Sequence, residues 1–184
     1  FSIYAVSQSV PVAVALAVKY PDRVRSMVLQ SGYAQGSIVR DKIDGTAMTD
    51  TFLQLIQSGW GQLGSPFMSA FTSLFMPGGT REQIDSFSQM QQQSISADGA
   101  VALRNAIARF DVTDVLDQVR CPVLVCHGRQ DAVHPMEQSQ ILAQKIPNAR
   151  FLPYDSPNHV HLPQFPVWEQ VQTSIDQFLD ETAD

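Results

Sequence analysis

The first part of the chain carries two strand patterns on either side of a helical one. Residues 1–6 (FSIYAV) are rich in aromatic and β-branched side chains, as a short strand requires. Residues 11–20 are alanine-rich and apolar nearly all round, which predicts a buried helix with a proline in its first turn. Residues 24–30 predict a second strand. This order predicts a right-handed βαβ unit in a parallel sheet.

The middle of the chain shows helical periodicity and no convincing strand. Apolar side chains recur at helical spacing over residues 50–60 and 67–75. We therefore predict a helical lid over residues 41–119, inserted between two parts of a core that comprises residues 1–40 and 120–184.

The strand pattern returns after the inserted helices. Residues 122–126 (PVLVC) form a continuous apolar run, which is typical of a buried parallel strand. A helix is predicted over 136–146, a last strand over 149–152 and an amphipathic closing helix over 166–179. The predicted fold class is α/β: a parallel sheet with flanking helices and an inserted helical lid.

Composition narrows the range of functions. With 184 residues, 44% of them hydrophobic, the chain is long enough for a packed globular core. A net charge of -6 without a basic run argues against contact with nucleic acid or docking on an anionic membrane. No apolar stretch reaches the ~20 residues that span a bilayer.

The two cysteines, Cys121 and Cys126, are five positions apart on a predicted strand. Their Cα atoms would then be roughly 16 Å apart, too far for a disulfide. Reduced packing cysteines fit a cytoplasmic protein. No His, Cys, Asp or Glu cluster has metal-ligand spacing and no glycine-rich loop could hold phosphates, so we expect no cofactor.

Ser7 stands at a strand-to-helix junction, with the small residues Ala5 and Ser9 two positions away on each side. A nucleophile elbow needs this arrangement, because the sharp turn brings strand and helix backbones close together and lifts the hydroxyl above the sheet. The alternative is that Ser7 only caps the following helix.

Asp131 and His159 each follow a later predicted strand. Loops at the carboxyl ends of parallel strands share one edge of the sheet, so both residues could meet Ser7 there. In such a triad the histidine takes the serine proton, and the carboxylate orients the histidine and stabilises its charged form. The chain order Ser, Asp, His is the order of α/β hydrolases.

Other polar residues have simpler interpretations. His127 is expected to be structural and bonded to backbone, and His134 to be a loop histidine. His161, two positions from His159, is a loop histidine and the alternative base.

An aromatic stripe lies in the predicted lid. It comprises Trp60, Phe67, Phe71, Phe75 and Met76. These residues either form the lid's own core or line an apolar acyl pocket, and both can hold at once.

Three segments carry a resemblance to the α/β-hydrolase superfamily, over essentially the whole chain. They are VSQSVPVAVALAVKYPDRVRSMVL, CPVLVCHGRQDAVHP and DSPNHV. The sequences SGYAQG and GWGQ further resemble hydrolase domains often fused to helix-turn-helix transcriptional regulators or nucleotide cyclases.

The resemblance implies that Ser7 is the nucleophile, Asp131 the acid and His159 the base, and that the Gln8 backbone N–H is half of an oxyanion hole. It also implies that this chain supplies strands five to eight of the family sheet. The earlier strands, and the loop with the second oxyanion donor, would lie upstream. We therefore expect another segment or subunit to complete the sheet; a homodimer is one alternative.

The elbow departs from the family pattern. Ser9 replaces the usual glycine, and Val10 and Pro11 replace small residues. The first hypothesis is a cofactor-independent serine hydrolase that acts on esters, thioesters or related acyl compounds through an acyl-enzyme. The second is a non-catalytic ligand-sensing module of a regulatory protein on the same scaffold, and perhydrolysis with the same triad is a third.

Overall fold

A computed structural model describes residues 1–42, 47–62 and 64–183. Four parallel strands form one sheet in the order β1-β2-β3-β4. They are β1 (Ser2–Val6), β2 (Ser26–Gln30), β3 (Val123–Gly128) and β4 (Ala149–Tyr154). Helix α1 (Val10–Lys19) connects the first two strands. The predicted βαβ unit and parallel α/β sheet are thereby confirmed.

Helices fill the long connection between β2 and β3. They are α2 (Ser37–Asp41), α3 (Ala47–Gly59), α4 (Pro66–Ser73), α5 (Arg81–Ser94) and α6 (Ala97–Ile107). Within the described residues the only bridge in this region is an isolated one between Gln35 and Asp111. The predicted lid range also includes residues 43–46 and 63, which lie outside the described residues. Its boundaries stay a prediction.

Short polar side chains start two of these helices. The Thr80 hydroxyl accepts a hydrogen bond from the Gln83 backbone N–H, and the Gln83 side chain accepts one from the Thr80 N–H in return. The Ser96 hydroxyl accepts from the Gly99 N–H at 3.2 Å. Each cap satisfies backbone donors that a first helical turn leaves free.

The core lies on both faces of the two central strands. Every residue of β2 and β3 is buried. Helix α1 and α7 (Met136–Lys145) contribute to one apolar cluster, and α8 (Val167–Glu181) contributes to the other. Helices on both faces of a parallel sheet leave the loops at the strand ends free to carry chemistry.

Strand β3 continues two residues beyond the predicted end. His127 pairs with Pro153 and Gly128 with Tyr154. The strand predicted over residues 122–126 therefore ends later than predicted, at Gly128. Strand β4 lies at the sheet edge, where Pro153 costs no ladder hydrogen bond, so the proline does not end the pairing.

Candidate active site

The turn after β1 holds Ser7 in a strained conformation. Its φ is +58°, in the left-handed region that residues other than glycine rarely adopt. A short 3-10 turn over Ser7–Ser9 follows, and α1 begins at Val10. The Ser9 hydroxyl accepts from the Val6 N–H at 2.9 Å and donates to the Val6 carbonyl at 2.7 Å. The residue that replaces glycine therefore closes the turn with its side chain.

A glycine at the end of β2 accommodates the bulkier elbow. Val10 is fully buried. A Cβ on Gly32 would lie only 2.3–2.7 Å from the Val10 side chain, closer than atoms can approach. Because Gly32 has no side chain, Val10 fits without displacing the turn that carries Ser7.

The loops after β3 and β4 bring Asp131 and His159 into contact. His159 Nδ1 lies 2.7 Å from Asp131 Oδ2, and both side chains are fully buried to within 1%. The other carboxylate oxygen, Oδ1, accepts backbone N–H bonds from Val133 at 2.8 Å and His134 at 3.3 Å. The carboxylate is therefore fixed by its own loop and faces the imidazole.

Burial opposes ionisation of Asp131, but hydrogen bonds outweigh it. The pKa of Asp131 is held below the usual range of an aspartate by the hydrogen bond from the His159 ring, by the electrostatic attraction of that ring and by the hydrogen bond from the Val133 N–H. An ionised Asp131 accepts the Nδ1–H of His159. The second ring nitrogen, Nε2, is then the one that can accept a proton.

His127 supports this loop from within the strand. Its Nε2 lies 3.1 Å from the His134 carbonyl oxygen, which can only accept, so Nε2 carries a proton. Its Nδ1 lies 2.7 Å from the Ser139 hydroxyl, and burial lowers the pKa of the ring. His127 is therefore neutral and structural, as the sequence predicted. Its Nε2 is also 3.9 Å from Asp131 Oδ2.

His134 lies in the loop after β3, as the sequence predicted, and its ring contacts the candidate nucleophile. Its Nε2 lies 3.3 Å from Ser7 Oγ, and its ring centroid is 5.4 Å from that of His159. The Nε2 of His159 is buried and has no hydrogen-bond partner among the described residues. His134 is therefore the histidine within hydrogen-bond distance of the Ser7 hydroxyl, whereas His159 lines the same cavity without a hydrogen bond to Ser7.

These groups line a cavity of about 600 Å³ between the carboxyl ends of the strands and the inserted helices. Its polar lining includes Ser7, Gln8, His134 and His159. The remainder is largely apolar. It includes Ile56, Trp60, Phe71, Phe75, Phe87, Met90 and Leu103. The volume is in the range of small-molecule sites.

Two residues of the predicted pocket lie elsewhere. Phe67 does not line the cavity; its ring stacks on Phe71 at 5.7 Å and its side chain lies against Gly59. Met76 is buried, and its side chain packs over the Gly79 backbone. Trp60, Phe71 and Phe75 line the cavity. That the cavity takes the substrate stays a prediction.

The remaining loop groups have structural partners. His161 Nε2 lies 2.6 Å from the Tyr154 hydroxyl, away from the cavity, so the alternative base is not placed at Ser7. Asp155 forms an exposed ion pair with Arg129 at 3.2 Å. Both cysteines are free and buried. No group of three potential metal ligands occurs among residues 1–42, 47–62 and 64–183.

Comparison with known proteins identifies the fold family of the chain. The family model of the alpha/beta hydrolase fold matches residues 7–165. A curated pimeloyl-[acyl-carrier protein] methyl ester esterase of Neisseria meningitidis is 25% identical over an alignment 166 residues long. The alignment covers 80% of this chain and 58% of that protein. The chain thus spans less than two thirds of this relative.

Two solved structures share the fold. MenH from S. aureus superposes with a TM-score of 0.76 at 18% identity, over 100% of this chain and 69% of that one. A thermophilic esterase from Thermogutta terrifontis gives 0.73 at 24% identity, over 99% of this chain and 65% of that one. Together with the family match, they show that the chain belongs to the α/β-hydrolase fold family.

Proposed function

We propose that the protein is a cofactor-independent serine hydrolase that cleaves ester or related acyl bonds. One observation carries the proposal: Ser7, in a strained strand-to-helix turn, shares a cavity with His159, whose Nδ1 is 2.7 Å from Asp131. Esterases among the similar proteins support the same reaction class.

The reaction follows from the roles of these groups. Ser7 Oγ attacks the acyl carbonyl carbon while its proton passes to His159 Nε2, and Asp131 stabilises the resulting imidazolium. The imidazolium then protonates the leaving alcohol, and an acyl-enzyme remains. Water attacks the acyl-enzyme with His159 again as base, which releases the acid and restores Ser7.

The oxyanion that forms needs preorganised donors. We assign one to the backbone N–H of Gln8, because the residue after the nucleophile lines the cavity beside Ser7. A second donor would come from a segment outside this sequence. Removing one such donor typically costs about 10²- to 10³-fold in kcat.

The cavity favours an apolar acyl group. Rings from the inserted helices cover it, and its volume of about 600 Å³ exceeds what a short acyl chain fills. The inserted helices would act as the lid that lines the acyl site.

We also propose that a further segment or a second subunit completes the sheet along β1. Tyr4 on this strand is 53% exposed, and Phe1, Val12 and Tyr20 nearby are large, apolar and exposed. A free edge with such neighbours invites strand pairing.

None of the described helices has the length and apolar run that a bilayer crossing requires. The free, buried cysteines support a cytoplasmic location.

The test is turnover of p-nitrophenyl esters of increasing acyl length by the full protein and by Ser7→Ala, with circular dichroism to confirm folding. We expect a burst of p-nitrophenol from the wild type and a loss of several orders of magnitude in the variant. An organophosphate should add once, at Ser7.

A folded wild type with no turnover above Ser7→Ala on any ester and no adduct would refute the hydrolase. The non-catalytic sensor would then be the better account, to be tested by a ligand screen with thermal shift.

A further inference from the structure

The hydrogen-bond partner of the serine hydroxyl is a histidine outside the proposed triad. Ser7 Oγ lies 3.3 Å from His134 Nε2, at the upper end of hydrogen-bond length. His134 lines the main cavity and also a smaller one beside it, whose lining includes Tyr33 and Arg104. A histidine that only packed in a loop would not need to face the nucleophile.

The backbone of His134 is held by the acid's own loop. Its N–H donates to Asp131 Oδ1 at 3.3 Å, and its carbonyl accepts from His127 Nε2 at 3.1 Å. The ring packs against Tyr33, with centroids 4.7 Å apart. The hydrogen bond between the His134 N–H and Asp131 therefore helps to fix both residues, and the packing on Tyr33 holds the His134 ring near Ser7.

The charge state of the ring follows from its surroundings. Burial is the main reason that the pKa of His134 falls to about 3. Repulsion from His159 lowers it further, attraction by Asp131 opposes this, and Arg104 and Arg40 make smaller contributions that also lower it. His134 is therefore neutral wherever a serine hydrolase works. A neutral imidazole has one donor and one acceptor nitrogen, so the direction of its bond to Ser7 has to be decided.

Two directions are available. If Nε2 accepted, the Ser7 proton would point to a very weak base and away from His159. If Nε2 carries the proton and donates to Ser7 Oγ, the Ser7 O–H is free to point to His159 Nε2. The second arrangement leaves both the Ser7 O–H and the unpartnered His159 Nε2 available for the proton transfer of the triad.

We propose that His134 is an additional catalytic residue, a neutral imidazole whose Nε2–H donates a hydrogen bond to Ser7 Oγ. The inference rests on the proposed hydrolase function. During attack the Ser7 proton moves to His159 Nε2 and Oγ bonds to the acyl carbon, while the His134 proton stays on its nitrogen. The bond stabilises negative charge as it builds on Oγ, and acylation is the step it accelerates.

The experiment compares His134→Val with His134→Gln. Valine removes the donor, whereas the glutamine amide nitrogen can reach the place of Nε2 and donate there. His161→Gln is the matched control, because His161 is also a partly buried histidine with a lowered pKa but bonds to Tyr154 instead of Ser7. All are made in the full protein, and folding is checked by circular dichroism and thermal melting.

The readouts are the second-order rate of inactivation by diisopropyl fluorophosphate and the acylation burst with p-nitrophenyl acetate. We expect His134→Val to slow both by about 10- to 100-fold, the range for a hydrogen bond to a charged group, with KM little changed. His134→Gln should recover most of the rate, and His161→Gln should match the wild type.

The outcomes separate this inference from the proposed function. If the wild type is labelled at Ser7 and His134→Val reacts as fast or faster, His134 is not a donor to the nucleophile, and the hydrolase stands without it. Equal losses in the valine and glutamine variants, both folded, would also overturn the inference, since packing and not donation would then matter. A wild type that neither reacts nor turns over would overturn both.

Discussion

Replacing Asp131 by asparagine tests how the acid orients His159. In the native loop one carboxylate oxygen accepts two backbone N–H groups, from Val133 at 2.8 Å and His134 at 3.3 Å. An asparagine must keep its carbonyl oxygen on that side, because an amide NH₂ there would face two donors. Its NH₂ group is therefore directed to His159 Nδ1, which lies 2.7 Å from the other oxygen.

This orientation reverses the tautomer of His159. Nδ1 must now accept, so the ring proton moves to Nε2, the nitrogen that should take the proton of Ser7. In serine triads such a change lowers kcat by about 10⁴-fold, or roughly 5 kcal/mol in the barrier. We expect a loss of this size in Asp131→Asn, because the two backbone bonds leave the amide no alternative orientation.

The assay is the burst and steady-state rate with a p-nitrophenyl ester, next to a thermal melt of each variant. Asp155→Asn is the matched control, because this aspartate is in the next loop but exposed, in an ion pair with Arg129. It should leave both rates unchanged. A folded Asp131→Asn that retained more than about a tenth of the wild-type kcat would refute the assigned orientation of His159.

Three further predictions follow from burial and packing. Burial lowers the pKa values of His134 and His161 from 6.5 to about 3 and about 4, so below pH 6.5 the unfolded chain takes up protons that the folded one excludes. The melting temperature should therefore fall as the pH drops from 7 towards 4. The fall should be less steep in His161→Gln than in the wild type, and parallel curves of melting temperature against pH for the two proteins would contradict this. Gly32→Ala should lower the free energy of unfolding by about 1–3 kcal/mol and reduce Ser7 labelling, because the new Cβ would lie 2.3 Å from the Val10 side chain. Chemical denaturation measures the loss, and an unchanged stability would contradict the close packing. Phe71→Ala should shift the preferred p-nitrophenyl ester to a longer acyl chain, because this ring lines the cavity, and an unchanged preference would contradict that placement.

The sheet and the spatial pairing of Asp131 with His159 could be predicted from the sequence. The strands are short apolar runs at the required spacing, and loops at the carboxyl ends of parallel strands share one edge. The 2.7 Å contact between the two side chains follows from that topology. Their catalytic roles stay a prediction, which the Ser7 and Asp131 variants test.

The lining of the cavity could be predicted only in part. Phe67 and Phe71 are four positions apart on α4, so helical spacing places them on one face. Which ring reaches the cavity depends on the tilt of α4 against its neighbours. Phe71 contacts the cavity while Phe67 stacks behind it. Phe87 was missed although Ile84, Phe87 and Met90 stand at helical spacing along the otherwise polar α5, and this spacing was the signal that could have found it.

The role of His134 could not be read from periodicity at all. It lies in an irregular loop, where side-chain direction depends on which backbone groups the neighbours bind. Here the Asp131 carboxylate binds the N–H of residues 133 and 134, and His127 binds the His134 carbonyl. A sequence signal did exist: an aspartate followed by a histidine three positions later can bond that histidine's N–H and so fix it beside the acid.

The loop after β3 therefore couples two functions through one carboxylate. Oδ2 of Asp131 orients His159, and Oδ1 holds the backbone of His134. A change that moves this carboxylate would displace both imidazoles that line the cavity with Ser7, whereas a change in the His134 ring would affect only one. The effect of Asp131→Ala, which removes both oxygens, should consequently include any contribution of His134, and the double variant with His134→Val should lose less than the sum of the two single losses. Additive losses would mean that the two imidazoles act on Ser7 independently, and the shared carboxylate would then be a feature of the fold alone.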